Sequence, residues 1–130
     1  QWTVSEGEDR YRRAVYTYWR RTAPYPSMMT FDSPSREFCV SRRIQTNTPL
    51  QALVTLNDPV FWEASQALGA RMAGVDADSR GQLAAGYRWA TGRPADSPTL
   101  DALDALLADA GPDRLDLAAN VILNLDEVLT

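Results

Sequence analysis

Four of the eight prolines in this chain stand directly after a Ser, Thr or Asp: Ser33-Pro34, Thr48-Pro49, Asp58-Pro59 and Ser97-Pro98. Each such pair has the form of a helix start. A short side-chain oxygen accepts from the free amides of the first turn, and proline at the first helical position gives up an amide that has no partner there anyway. The residue before proline also avoids the α region, so each pair breaks any helix that precedes it. A chain cut this often is restricted to short elements. No stretch alternates apolar and polar residues with period two, so no strand is expected. The expected fold is all-α: a single compact bundle of about six to seven short helices, one helical domain over residues 1–130, with a long Pro-containing connector.

The segments between these breaks read as follows. Ser5-Glu6-Gly7-Glu8 fits a capping box for a helix running to about Arg21, with Tyr11, Val15, Tyr18 and Trp19 on one face and Arg10, Arg13, Arg20 and Arg21 opposite. Thr22 to Thr30 reads as an extended strap held by Pro24 and Pro26, with Met28, Met29 and Phe31 as its apolar contacts. A helix from Pro34 to about Arg43 would turn Phe38 and Cys39 inward. Thr48-Pro49-Leu50-Gln51 is a second capping box, and Asp58 ends its helix and caps the next. That next helix carries the stripe Phe61, Ala64, Leu68 and Met72, with Trp62 off the stripe and Gly74 as its stop. Asp78 caps a helix with Leu83, Tyr87 and Ala90 on one face, Trp89 on another, and Gly92 at its end. The run from Asp76 to Gly81 resembles the opening of a calcium loop, but Arg80 and Tyr87 fall where oxygen ligands are needed, so no metal site is assigned. Leu100, Leu103, Leu107 and Ala110 line the helix begun by Ser97-Pro98. The last helix, Asp113 to about Leu129, is apolar enough to be central, with Asn120 and Asn124 as hydrogen-bonded amides at its edge.

Side-chain chemistry narrows the function classes. All 13 basic residues are Arg, and the chain has neither Lys nor His. Schiff-base lysines, Ser/His and Cys/His pairs and histidine metal sites are therefore excluded. No catalytic residue, metal site or cofactor is assigned. Cys39 is the single cysteine and reads as a small buried hydrophobe. Residues 1–50 carry eight Arg against five acids, and residues 51–130 five Arg against twelve acids; either the halves pack on each other or one of them meets a charged partner. The net charge of -4 opposes nucleic-acid binding. No apolar run is long enough for a membrane span and no signal-peptide pattern opens the chain, so it reads as soluble and untargeted; the start at Gln1 without Met suggests a fragment.

Three functional readings follow. The leading one is a non-catalytic helical interaction or scaffold module, with protein partners or self-association through Trp62 and Trp89. The second is a small polar ligand or anion, such as a carboxylate or sugar. It would be held by Arg36, Arg42, Arg43, Asn47, Gln51 and Asn57 around the helix start at Thr48. Against it stands internal pairing of those side chains with Asp32, Glu37, Asp58 and loop carbonyls. The third is a carboxylate hydrolase using Asp32, Glu37, Asp58 or Glu63, since paired carboxylates suffice for glycoside cleavage.

The string GEDRYRRAVYTYWRRTAPYPSMMTFDSPSREFCVSRRIQTNTPLQALVTLND, with VFWEASQALGARM, ATGRP and AANVILNLDE after it, resembles the C-terminal part of a bacterial domain family of unknown function. In that family the domain lies at the C-terminal end of large planctomycete-type secreted proteins, which often carry a cytochrome c domain. The resemblance implies a truncated, free-standing helical part of that domain and supplies no catalytic residues. The full-length proteins look exported, whereas this sequence has no signal peptide and no Cys-x-x-Cys-His haem site.

Overall fold

A computed structural model of the protein describes residues 3, 5–42, 44–75, 78–108, 110, 111 and 114–129. Among them the architecture is all-α, with no strand. The α-helices are α1 (Pro26–Thr30), α2 (Pro49–Asn57), α3 (Pro59–Ala73), α4 (Ser79–Thr91), α5 (Ser97–Ala108), α6 (Arg114–Leu123) and α7 (Asp126–Leu129), preceded by two 3-10 turns at Gly7–Tyr11 and Ala14–Tyr16. The chain forms two compact units, residues 1–54 and 55–130.

The second unit contains the hydrophobic core. Met72 from α3, Leu83 from α4, Leu103 and Leu107 from α5, and Ala118, Ala119 and Ile122 from α6 are buried together, with Leu68, Ala90, Leu100 and Leu115 packed around them. The most extensive pairing is α3 with α6, and small side chains explain it. Ser65 and Gly69, one turn apart on α3, are buried, as are Ala118 and Ala119 on α6. A Cβ on Gly69 would stand 3.0 Å from the Asp116 amide nitrogen and 3.1 Å from its Cα, so the two backbones meet where only glycine fits. The Ser65 hydroxyl satisfies itself by donating to Trp62 O at 2.7 Å. The buried line of α3 therefore runs through Ser65, Gly69 and Met72, whereas Ala64, expected on the stripe, is exposed.

The proline punctuation is realised at three of its four sites. Thr48 and Gln51 form the reciprocal box: Thr48 N donates to Gln51 Oε1 at 2.9 Å and Gln51 N to Thr48 Oγ1 at 3.4 Å. Asp58 accepts from Val60 N and caps α3; Asp78 accepts from Gly81 N and caps α4. At Ser97-Pro98 the cap moves back one residue, because Asp96 Oδ1 accepts from Thr99 N at 3.0 Å. Gly92 stops α4 in the left-handed conformation, φ 75°, while Gly74 ends α3 with ordinary right-handed angles. The expected last helix is two: α6 ends at Leu123 and α7 begins at Asp126. Asp113 lies outside the described residues.

The first unit departs most from expectation. The helix predicted to reach Arg21 is replaced by the two 3-10 turns, with Arg12 and Arg13 extended between them. Glu6, not Ser5, precedes the first turn and makes no side-chain cap. Aromatic and β-branched residues are weak helix formers, and a short helix needs a face to bury. Here Tyr11, Val15, Tyr16 and Tyr18 are exposed. Helix α1 forms where an extended strap was expected, with Pro26 at its first position. No helix follows Pro34. Asp32 and Arg36 take positive φ, 58° and 61°, which ends any right-handed helix there. Phe38 and Cys39 are exposed rather than inward.

Candidate functional site

Two groups of side chains stand out beyond ordinary helix packing. The first is a polar clamp in residues 30–51. Thr46 donates to Asp32 twice over, from its amide to Oδ2 at 2.7 Å and from its hydroxyl to Oδ1 at 2.9 Å. Gln51 Nε2 donates to Thr30 O at 2.9 Å, Asp32 Oδ2 at 3.2 Å and Thr46 Oγ1 at 3.2 Å, while its Oε1 caps α2. Gln51 is buried. Asp is one of the few residues that tolerate the left-handed region, and at position 32 that conformation accompanies its bonds to Thr46 and Gln51. The clamp closes a loop of the chain on itself.

The other residues of the expected ligand set sit around this clamp in different ways. Arg36 places its guanidinium 5.4 Å from the centre of the Trp19 ring. Arg42 is exposed, and Arg43 lies outside the described residues. Asn47 and Asn57 are exposed and engaged in further interactions. Of the expected hydrolase carboxylates, Asp32 belongs to the clamp, Asp58 caps α3, Glu37 is exposed and Glu63 is half-buried and partnered. Among the described residues no group of three or more Cys, Asp or Glu is placed to hold a metal ion.

The second group lies in residues 55–130 around Trp89. Arg71 of α3 reaches across to α4 and sets its guanidinium 4.1 Å from the Trp89 ring centre. Ala84, Ala85, Arg88 and Trp89 of α4, with Pro94 and Ala95 of the following turn, line an open hollow of about 580 Å³. Trp62 and Trp89 are both exposed, at 37% and 39%. Sequence reasoning singled out the two tryptophans and missed Arg71 and Arg88. The signal was present in the spacing, since Ala84 and Ala85 precede Arg88 and Trp89 by one helical turn.

Near the hollow, the Tyr87 hydroxyl donates to Glu127 Oε2 at 2.7 Å, and Arg93 pairs with the same oxygen at 2.7 Å. The bond to the Glu127 carboxylate favours the neutral phenol and holds the Tyr87 pKa above its ordinary value. Two hydrogen bonds from Thr99 hold the Asp96 carboxyl below its ordinary value.

Helix α2 carries a third notable feature. It buries polar side chains, Gln51 at 5% and Thr55 at 1% exposure, and turns Leu50, Leu53 and Leu56 outward at 59%, 56% and 48%. At 100° per residue the three leucines centre opposite the two polar residues. Thr55 donates to Asn124 Oδ1, and Asn124 Nδ2 in turn donates to Asn120 O at 2.8 Å, so the buried polar atoms are satisfied.

Residues 1–107, which include both groups and all of α2, match the family model described as PSD1, a protein of unknown function (DUF1553). No curated protein and no solved structure matches the chain.

Proposed function

The chain belongs to the PSD1 (DUF1553) family, whose function is unknown, and from its own surface we propose that it is a non-catalytic helical interaction module. The observation that carries this reading is the inverted helix α2. Single exposed leucines are ordinary on any protein surface. A leucine line along one side of a helix whose opposite side is polar and buried is not, because folding gains nothing from placing it outward. Such a surface is stabilised when a partner protein or a second copy covers it. The exposed Phe38, Val40 and Ile44 just ahead of α2 support the same reading.

The alternative, a small polar ligand at residues 32–58, draws less support. Gln51 already bonds four groups of its own chain, and Arg36 lies over Trp19.

The test is a hydrophobic-dye titration with light scattering on the full chain. The native chain is expected to bind dye or to self-associate. The double variant Leu50→Glu, Leu53→Glu is expected to lose that behaviour while keeping its helical circular dichroism. A strictly monomeric native chain that binds no dye would overturn the reading.

A further inference from the structure

We infer that the Trp89 hollow docks an acidic protein segment that anchors one apolar side chain. This deepens the interaction-module reading and rests on it, but uses a different surface from α2. Three observations converge on the occupant.

The first is charge. Residues 51–130 carry twelve acids against five arginines, so carboxylate partners are plentiful there. Arg80 pairs with Asp101 at 2.6 Å and Arg93 with Glu127 at 2.7 Å. Arg71 and Arg88 are exposed and, among the described residues, have no carboxylate partner. Two cations without a carboxylate partner among the described residues, Arg71 over the Trp89 ring and Arg88 in the lining of the hollow, offer charge complementarity to an acidic segment.

The second is shape. Small-molecule pockets enclose most of their ligand, whereas this hollow is open and floored by Ala84, Ala85, Pro94 and Ala95. An open apolar trough fits a side chain presented by a polypeptide that continues past it on both sides.

The third is the anchor. Trp and Arg are the residues that most often dominate binding energy at protein interfaces. Arg71 lies over Trp89, which holds the ring in place before a partner arrives. A carboxylate on the segment would then meet Arg88 or Arg71 directly, while the neighbouring apolar side chain fills the trough against the indole.

The test is selection of a phage-displayed random-peptide library on the full chain, followed by affinity measurements with the enriched synthetic peptide. The expected peptides place Asp or Glu next to an aliphatic or aromatic residue. Their affinity is expected to fall at least about tenfold in Trp89→Ala and in Arg88→Glu, to weaken as salt is raised, and to be unchanged in Leu50→Glu, Leu53→Glu. The double reversal Arg71→Glu, Arg88→Glu is expected to select basic peptides instead. Circular dichroism of each variant separates lost binding from lost fold. Three results would overturn the inference: no enriched sequence, an enriched sequence without carboxylates, or a native dimer that Arg88→Glu turns into a monomer, which would give the hollow to a second copy. Because the loss of dye binding in Leu50→Glu, Leu53→Glu reports on α2 and leaves Trp89 untouched, failure here leaves the broader reading to stand or fall by itself.

Discussion

At the scale of single residues, two glycines separate backbone contact from side-chain contact. Gly69 and Gly86 are both buried inside helices, where replacement by Ala gains about 1 kcal/mol of helix propensity. At Gly69 the added methyl meets the Asp116 carboxylate first and then the Asp116 backbone nitrogen and Cα at 3.0 and 3.1 Å, so a turn of the side chain alone does not clear it and α6 must also give. At Gly86 it meets Sδ, Cγ and Cε of the fully buried Met72, a flexible side chain that can shift only by repacking within the core. Gly69→Ala is therefore expected to destabilise by about 1–3 kcal/mol net, and Gly86→Ala by less than Gly69→Ala because a side chain and not a helix backbone has to move, in denaturant melts run side by side. Tyr87 gives a pH signature. Its folded pKa is raised above the ordinary value of about 10, so in alkaline solution the folded phenol keeps its proton where the unfolded one loses it. Its contribution is complete below pH about 10 and is lost as pH rises through the folded pKa. Melting temperature should thus fall with rising pH above about 10, and Tyr87→Phe should flatten that part of the curve.

At the scale of elements, local chemistry was legible and partner-dependent order was not. The capping box at Thr48 and the N-caps at Asp58 and Asp78 depend on residues within one turn of each other, and the structure has all three. The core positions Met72, Leu83, Leu103, Leu107 and Ile122 follow from periodicity on helices that have each other to pack against. The same periodicity at Tyr11, Val15 and Tyr18 produced no helix, because those side chains stay exposed and the face gains no burial. Ser33-Pro34 has the right form for a helix start but lies between two residues in the left-handed region. The clamp was half legible. Gln51 was readable as a cap, whereas its bonds to Thr30, Asp32 and Thr46 join positions up to 21 residues apart and leave no local trace. The clamp makes its own prediction. Asp32→Ala removes the acceptor of the Thr46 amide, so hydrogen exchange at Thr46 should speed up markedly while the amides of Met72 and Ile122 keep their protection.

For the molecule as a whole, burial is distributed unevenly. All of the buried core side chains lie in residues 55–130, whereas Gln51 is the one buried residue among those described in 1–54. The described residues of the first unit are thus ordered by hydrogen bonds, proline stiffness and the Arg36–Trp19 contact rather than by a cluster of buried apolar side chains. Backbone bonds in such a region open at low cost, whereas those beneath a packed core open only at a cost approaching global unfolding. Hydrogen exchange on the full chain should therefore show two classes of amide. Those of α3, α4 and α6 in the core should be the slowest, and those of the turns at Gly7–Tyr11 and Ala14–Tyr16 should approach free-chain rates. The interaction-module reading adds a second half to this experiment. A partner that covers the leucine line of α2 would shield Leu50 and Leu53 and lengthen the lifetime of the α2 hydrogen bonds next to the clamp, so protection should rise in residues 46–57 first. Partner addition that slows exchange only in α3 and α6, with α2 unchanged, would mean that the outward leucines are not the surface that binds.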